Sequence, residues 1–458
     1  MNRLTIAAAV CAALCVLPAH ARKKPDPAPA KPAPYASTYQ AIPSVPVLIQ
    51  NATVLTGTGV RLDNADVLMQ DGKIQSVGKG LGAPANARIV NGAGKWVTPG
   101  IIDVHSHLGV YASPGIQATS DGNEATAPVT AEVWAEHSVW PQDTGFAKAL
   151  AGGVTSLQIL PGSANLVGGR SVILKNVAAT SYQAMKFPNA PHGVKMACGE
   201  NPKRVYGEKG GPSTRMGNMA GYRAAFIDAQ DYRRKWDAYE NGGRRGAAPD
   251  QDLSKDTLAG ILRGDITVNI HCYRADEMAA MIDLSKEFGF QISSFHHGVE
   301  AYKIADSLAR ENICAALWAD WWGFKLEAYD GIEENIALVD RPTGGCAIVH
   351  SDSAEGIQRL NQEAAKVIAS AARADIAISP EHAITWLTGN AAKALRIDKL
   401  TGSLETGKMA DVVVWNGTPF SSYAKAEQVY IDGALLYDRS NKALQPKADF
   451  LLGQEGQP

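Results

Sequence analysis

Of the ten histidines in the chain, six fall at the ends of short apolar runs, where the side chains of strands would converge. His105 and His107 close GIIDVHSH, His271 stands in NIHCY, His296 and His297 stand in FHHG, and His350 stands in VHSDS beside Asp352. Successive strand side chains alternate between faces, so residues i and i+2 share one. Two imidazoles on one face suit a divalent transition metal. A neighbouring carboxylate suits proton transfer to and from a water that such a metal activates. Any one of these histidines could be a satisfied core residue. Six at strand ends, with an aspartate at the last, point to a metal centre.

Such a centre needs a scaffold that brings strand ends together. Between about residue 99 and residue 400, eight apolar runs alternate with helical stretches: GIIDVHSH, GVTSLQIL, SVILKNV, HGVKMACG, ITVNIHCY, QISSFHHG, ICAALWAD and CAIVHSD. Eight strands with intervening helices predict a (β/α)8 barrel, whose active site forms at the C-terminal strand ends. A doubly wound sheet is the rival, but no GxGxxG turn follows the first strand. Residues 46–98 and 401–446 have another texture, with short alternating runs and Asp-Gly turns at Asp71-Gly72 and Asp432-Gly433. They predict one small β-sandwich built from both flanks of the barrel.

The chain opens with Arg3, an apolar run from Leu4 to Leu17 and the small-x-small site Ala19-His20-Ala21. Residues 1–21 therefore read as a signal peptide, and the expected location is secreted, in a periplasm. The run is too short to span a bilayer, so no membrane attachment is expected after cleavage. A Pro/Ala-rich linker at 22–45 and a tail at 447–458 complete the organisation. Formal net charge is -2, with 45% hydrophobic and 20% charged residues, so no basic surplus argues for nucleic acid. Cys198, Cys272, Cys314 and Cys346 form no CxxC pair. A disulfide is open to them in an exported chain, but we read them as small buried core residues.

At this point the sequence resembles the amidohydrolase superfamily, in particular secreted metal-dependent hydrolases related to imidazolonepropionases and Xaa-Pro dipeptidases. The stretches that carry the resemblance are KWVTPGIIDVHSHLG, ALAGGVTSLQILPGSANLVGG, GVKMACGENPKR, IHCYRADEM, HHGVEAYK, IVHSDS, TGNAAKALRI and GSLETGKMADVVVWNG. These stretches span Lys95 to Gly417, and the resemblance extends from about Val47 to Asp438. The resemblance implies two divalent ions, zinc by preference. His105 and His107 would bind the more buried one and His271 and His297 the other. Asp352 would bind the first and act as the catalytic acid/base. Relatives commonly read Glu-His-Gly where this chain has His296-His297-Gly298, so His297 is the expected ligand.

Two residues compete to bridge the ions. Relatives often place a carboxylated lysine on the fourth strand, and alternation sends Lys195, Ala197 and Gly199 to one face of HGVKMACG. Glu200, just past that strand, is the rival, because other branches bridge with glutamate. The expected reaction is attack of a metal-bridging hydroxide on an amide, cyclic amide or peptide C–N bond. Deamination is the alternative within the superfamily, and a non-catalytic binding protein on the same barrel is the alternative outside it. His350 shares a face with Asp352 and is a candidate substrate contact. Arg215, in NPKRVYGEKGGPSTRMG, is a candidate anchor for a substrate carboxylate, as in a dipeptide. Trp318, Trp321 and Trp322 could wall the pocket. A small-molecule or dipeptide-like substrate and a homo-oligomer complete these expectations.

Overall fold

The computed structural model describes residues 35–446. The signal peptide, most of the linker and the tail lie outside the described residues. All elements below belong to a unit that begins at Ser37.

Strands β1 (Val47–Leu55), β2 (Arg61–Gln70), β3 (Lys73–Gly78), β4 (Arg88–Asn91) and β5 (Trp96–Pro99) precede the barrel. The barrel strands are β6 (Ile101–Ser106), β7 (Val154–Ile159), β8 (Val167–Lys175), β9 (Gly193–Ala197), β10 (Thr267–Cys272), β11 (Ile292–His297), β12 (Cys314–Leu317) and β13 (Ala347–Val349). Then come β14 (Val412–Trp415), β15 (Ala426–Ile431) and β16 (Ala434–Asp438). All eight apolar runs read from the sequence are strands, and they pair in chain order from β6 to β13. Every residue of β6, β7 and β10 is buried, as expected where helices cover one face of a barrel and side chains fill the other.

One strand breaks the alternation of strand and helix. β8 pairs antiparallel with both β7 and β9. No helix separates β7 from β8, so the chain turns back through residues 160–166 and descends the barrel wall. Val167–Arg170, at the end of PGSANLVGGR, form the first half of this strand. The seam between β13 and β6 is closed by polar groups. The Asp352 N–H donates to the His105 carbonyl at 3.0 Å, and the Ser351 hydroxyl donates to Asp103.

The flanking segments form one continuous sheet in the order β16-β15-β14-β5-β1-β2-β3, with β4 on β1. It curls on itself, because the Ile74 N–H on β3 donates to the Lys408 carbonyl just before β14. The enclosed core takes residues from both flanks, including Val54, Val67, Ile74, Val412 and Tyr430. Both Asp-Gly dipeptides make the expected tight hairpins. Asp71 and Gly72 have φ of 52° and 72°, and Asp432 and Gly433 have 48° and 74°, as a type I′ turn requires.

A buried ion cluster fastens sheet to barrel. The Lys175 ammonium, at the end of β8, lies 2.9 Å from Asp411 and 3.1 Å from Asp432. Thr401 donates to Asp411 at 2.8 Å, and the Tyr39 hydroxyl donates to Asp432.

The four described cysteines are not thiols. Cys198 bonds Cys272 and Cys314 bonds Cys346, with Cα separations of 5.3 Å and 4.6 Å. Our reading of them as free core residues is corrected by register. Ala197 pairs with His271 across β9 and β10, and Ala315 pairs with Ala347 across β12 and β13. Each cysteine pair therefore lies one residue along the strands from a paired position. Gaps of 74 and 32 residues hide that adjacency in the sequence.

Candidate active site

Barrel register gathers the expected residues at one end. Lys195 pairs with Asn269, and two residues further along the strands His271 pairs with His296, so successive inward rows across β9, β10 and β11 already hold three of the site's residues. The first strand contributes His105, with His107 just beyond it, and the last delivers His350 and Asp352. His105, His271, His296, His297, His350 and Lys195 are all buried, while His107 and Asp352 face the opening.

The contacts among them are short. Asp352 Oδ1 lies 3.4 Å from His105 Nε2 and 3.2 Å from His107 Nε2. Asp352 Oδ2 lies 3.9 Å from His297 Nδ1, which is 3.1 Å from His350 Nε2. Lys195 Nζ is 3.3 Å from His105 Nε2 and 3.2 Å from the Pro161 carbonyl. The rings of His271 and His297 are 4.6 Å apart.

Protonation is constrained by chemistry. His107 Nδ1 is 2.8 Å from the Leu160 carbonyl, which can only accept. The nitrogen that His107 turns toward the Asp352 carboxylate is therefore Nε2, so the two groups could bind one cation together. Burial, and next the charge of Lys195, hold His105, His271 and His296 well below the usual histidine pKa. Burial does the same to His297, with His271 next, and brings His350 down to about 4. Burial also brings Lys195 down to about 8. His271 Nδ1 and His350 Nδ1 are buried with no hydrogen-bond partner among the described residues. Neutral imidazoles, two of them with an unused nitrogen, are the donor set a divalent transition ion accepts. His105, His297 and Asp352 offer ligand atoms within 4.8 Å of one another, as do His105, His296 and His350.

Two members of the cluster are held in an unfavourable backbone conformation. His297 has φ of 74° and Asp352 has φ of 49°. Such strain, about 1–3 kcal/mol per residue, persists where the surroundings over-determine it, and it gathers at functional sites.

Several expectations sort themselves here. His297, not His296, faces Asp352, while His296 stands behind His105. Lys195 is inside the cluster. Glu200 is not: it is partly exposed and pairs with Lys325 at 3.3 Å. Its neighbour Asn201 instead reaches His271, with Nδ2 3.3 Å from Nε2. Arg215 does not stand ready for a substrate carboxylate. Its guanidinium bridges Glu277 and Glu327, so its charge is matched within the chain. Trp318 does line the site, stacked on His297 at 4.3 Å with Trp321 stacked on it at 5.3 Å. Trp322 is exposed at the rim.

Asp103 escaped the sequence reading. It accepts N–H bonds from His105 at 3.1 Å and Ser351 at 3.3 Å, and burial pushes it up to about 7. It shares parity with His105 and His107, and that was the signal available for it. A cleft of about 410 Å³ shares Pro161 with Lys195 and is lined by Asp121, Asn123, Glu124 and Glu132.

An amidohydrolase of known structure from Thermotoga maritima is 37% identical to this chain and superposes with a TM-score of 0.79, covering 86% of this chain and 100% of that one. The chain belongs to the amidohydrolase family. The profile described as "Amidohydrolase family" matches residues 330–439, which include β13 and Asp352. A curated relative, amidohydrolase tasK of Hapsidospora irregularis, is 34% identical over 432 residues, 86% of this chain. A dihydroorotase of Geobacter sulfurreducens is 35% identical over 121 residues, 26% of this chain. The chain spans less than half the length of these curated relatives, 43% of the first and 21% of the second. Members of this family generally use a divalent metal, and the histidine groups at the barrel mouth could bind one.

Proposed function

We propose that this amidohydrolase is an enzyme that hydrolyses C–N bonds of amide, cyclic amide or peptide substrates with two divalent ions, zinc by preference. The observation that carries the reading is the convergence of His105 Nε2, His107 Nε2, Asp352 Oδ1 and Lys195 Nζ, each within 3.4 Å of another member. His105, His107 and Asp352 would hold one ion, and His271 and His297 the other. Lys195, as a carbamate, would hold both. Ions bound there would acidify a shared water and polarise the substrate carbonyl.

The remaining chemistry belongs to side chains. Asp352 would accept the proton of the attacking water, and the same carboxyl would then return it to the leaving amine. Trp318 and Tyr273, both against His297, keep bulk water from that side of the mouth. His350 contacts His297 and would touch substrate from the same face.

Lys195 is preferred over Glu200 because its ammonium nitrogen is in the cluster and the carboxylate of Glu200 is engaged at the rim. A bridging lysine also separates this reading from a deaminase that uses one ion. The test is metal content and hydrolysis across dipeptides, N-acyl amino acids and cyclic amides. The wild type should bind about two equivalents of zinc, and Lys195→Ala should bind one or none and lose hydrolysis. A Lys195→Ala protein that keeps both ions and full activity would overturn the assignment. The two disulfides favour an oxidising compartment and so support export to a periplasm.

A further inference from the structure

His296 has no part in the reaction proposed above, yet it is fully buried and bonded at both ring nitrogens. Its Nδ1 lies 2.8 Å from His105 Nδ1, and its Nε2 lies 2.8 Å from Ser294 Oγ. Ser294 Oγ lies 3.1 Å from Asn269 Oδ1, and Asn269 Nδ2 lies 3.4 Å from the Val194 carbonyl. These contacts form one line from β9 across β10 and β11 to β6.

The direction of every bond in the line follows from its far end. A carbonyl only accepts, so the Asn269 atom facing Val194 is the NH2, and the atom facing Ser294 is the oxygen. Ser294 must then donate to Asn269, which leaves its lone pairs to accept from His296 Nε2–H. A neutral His296 with hydrogen on Nε2 has a bare Nδ1, so it accepts from His105 Nδ1–H. His105 is thereby left with its lone pair on Nε2, the nitrogen that faces Asp352 and Lys195.

We propose that His296 is a positioning residue which, with Ser294 and Asn269 behind it, fixes the tautomer of His105. It selects the form whose Nε2 can bind an ion and excludes the form in which Nε2 carries hydrogen. Partners behind a metal-binding histidine commonly set its tautomer and raise its basicity. Here that partner is another imidazole rather than a carboxylate, and its own orientation is secured by an amide two steps away. The tautomer is a property of the protein without metal. The value of that tautomer rests on the metal-dependent reading.

The experiment has two readouts, neither of which is activity. Nitrogen NMR of the metal-free, 15N-histidine protein, with His105 assigned through His105→Gln, should give a protonated Nδ1 and an unprotonated Nε2. Zinc affinity, measured by competition with a chelator, should fall about 10–100-fold in His296→Leu. His296→Glu, which keeps an acceptor, should stay near wild type. Ser294→Ala leaves the buried ring in place, so it tests the line even if His296→Leu fails to fold. It should return a mixture of His105 tautomers. A His105 protonated at Nε2 in the wild type, or a His296→Leu affinity equal to wild type, would overturn the proposal. A wild type that binds no zinc would instead overturn the proposed function, and the NMR result would still decide the tautomer.

Discussion

Asp352→Asn is expected to lower kcat/KM by about 10²–10⁴-fold, the range for loss of a general acid/base, with little effect on folding. The variant is chosen for its backbone. Asp352 has φ of 49°, a conformation that asparagine tolerates and that alanine would strain. The backbone N–H that closes the barrel seam onto His105 is retained. What disappears is the charge and the proton-accepting oxygen that face His105 and His107 across 3.4 Å and 3.2 Å. The check is kcat/KM on the best substrate of the panel, with the thermal midpoint measured in parallel. A stable Asn variant with undiminished turnover would remove Asp352 from the reaction.

Lys175→Met is expected to cost about 3–5 kcal/mol of stability, although methionine fills nearly the same space. Two buried carboxylates share the single ammonium, and its removal strands both. Tyr39 and Thr401 would still donate to them, but neutral donors do not replace a charge at 3 Å. Lys175→Ala should lose at least as much, because a cavity is added to the same uncompensated charge. Urea midpoints for the two variants decide the matter. A Met variant as stable as wild type would mean that the cluster contributes packing alone.

Period and parity made the barrel legible. Eight apolar runs and the i, i+2 rule put His105, His107, His271 and Asp352 at strand ends, because a strand has only two faces, while the choice of His297 over His296 and the candidacy of Lys195 came from the family resemblance. Direction and lateral neighbours were not legible. A strand reads the same whichever way it runs, so nothing in VGGRSVILK announced that β8 descends. The cysteine pairs depend on the register between strands, which helices of unrelated length set. Arg215 misled for a similar reason: Glu277 and Glu327 lie far off in sequence, and only the folded chain brings them to it. Glu200 and Lys195 differed by a turn of backbone at Gly199, whose φ of 82° swings the chain out of the wall after the strand.

The bond between Cys198 and Cys272 encloses the long helix Arg215–Asn241 and the exposed stretch that follows it. A protease that cuts once between residues 242 and 251 would divide the polypeptide without dividing the molecule. Denatured but not reduced, the nicked protein should still migrate as one species. A thiol reagent should release two fragments, each carrying part of the same active site.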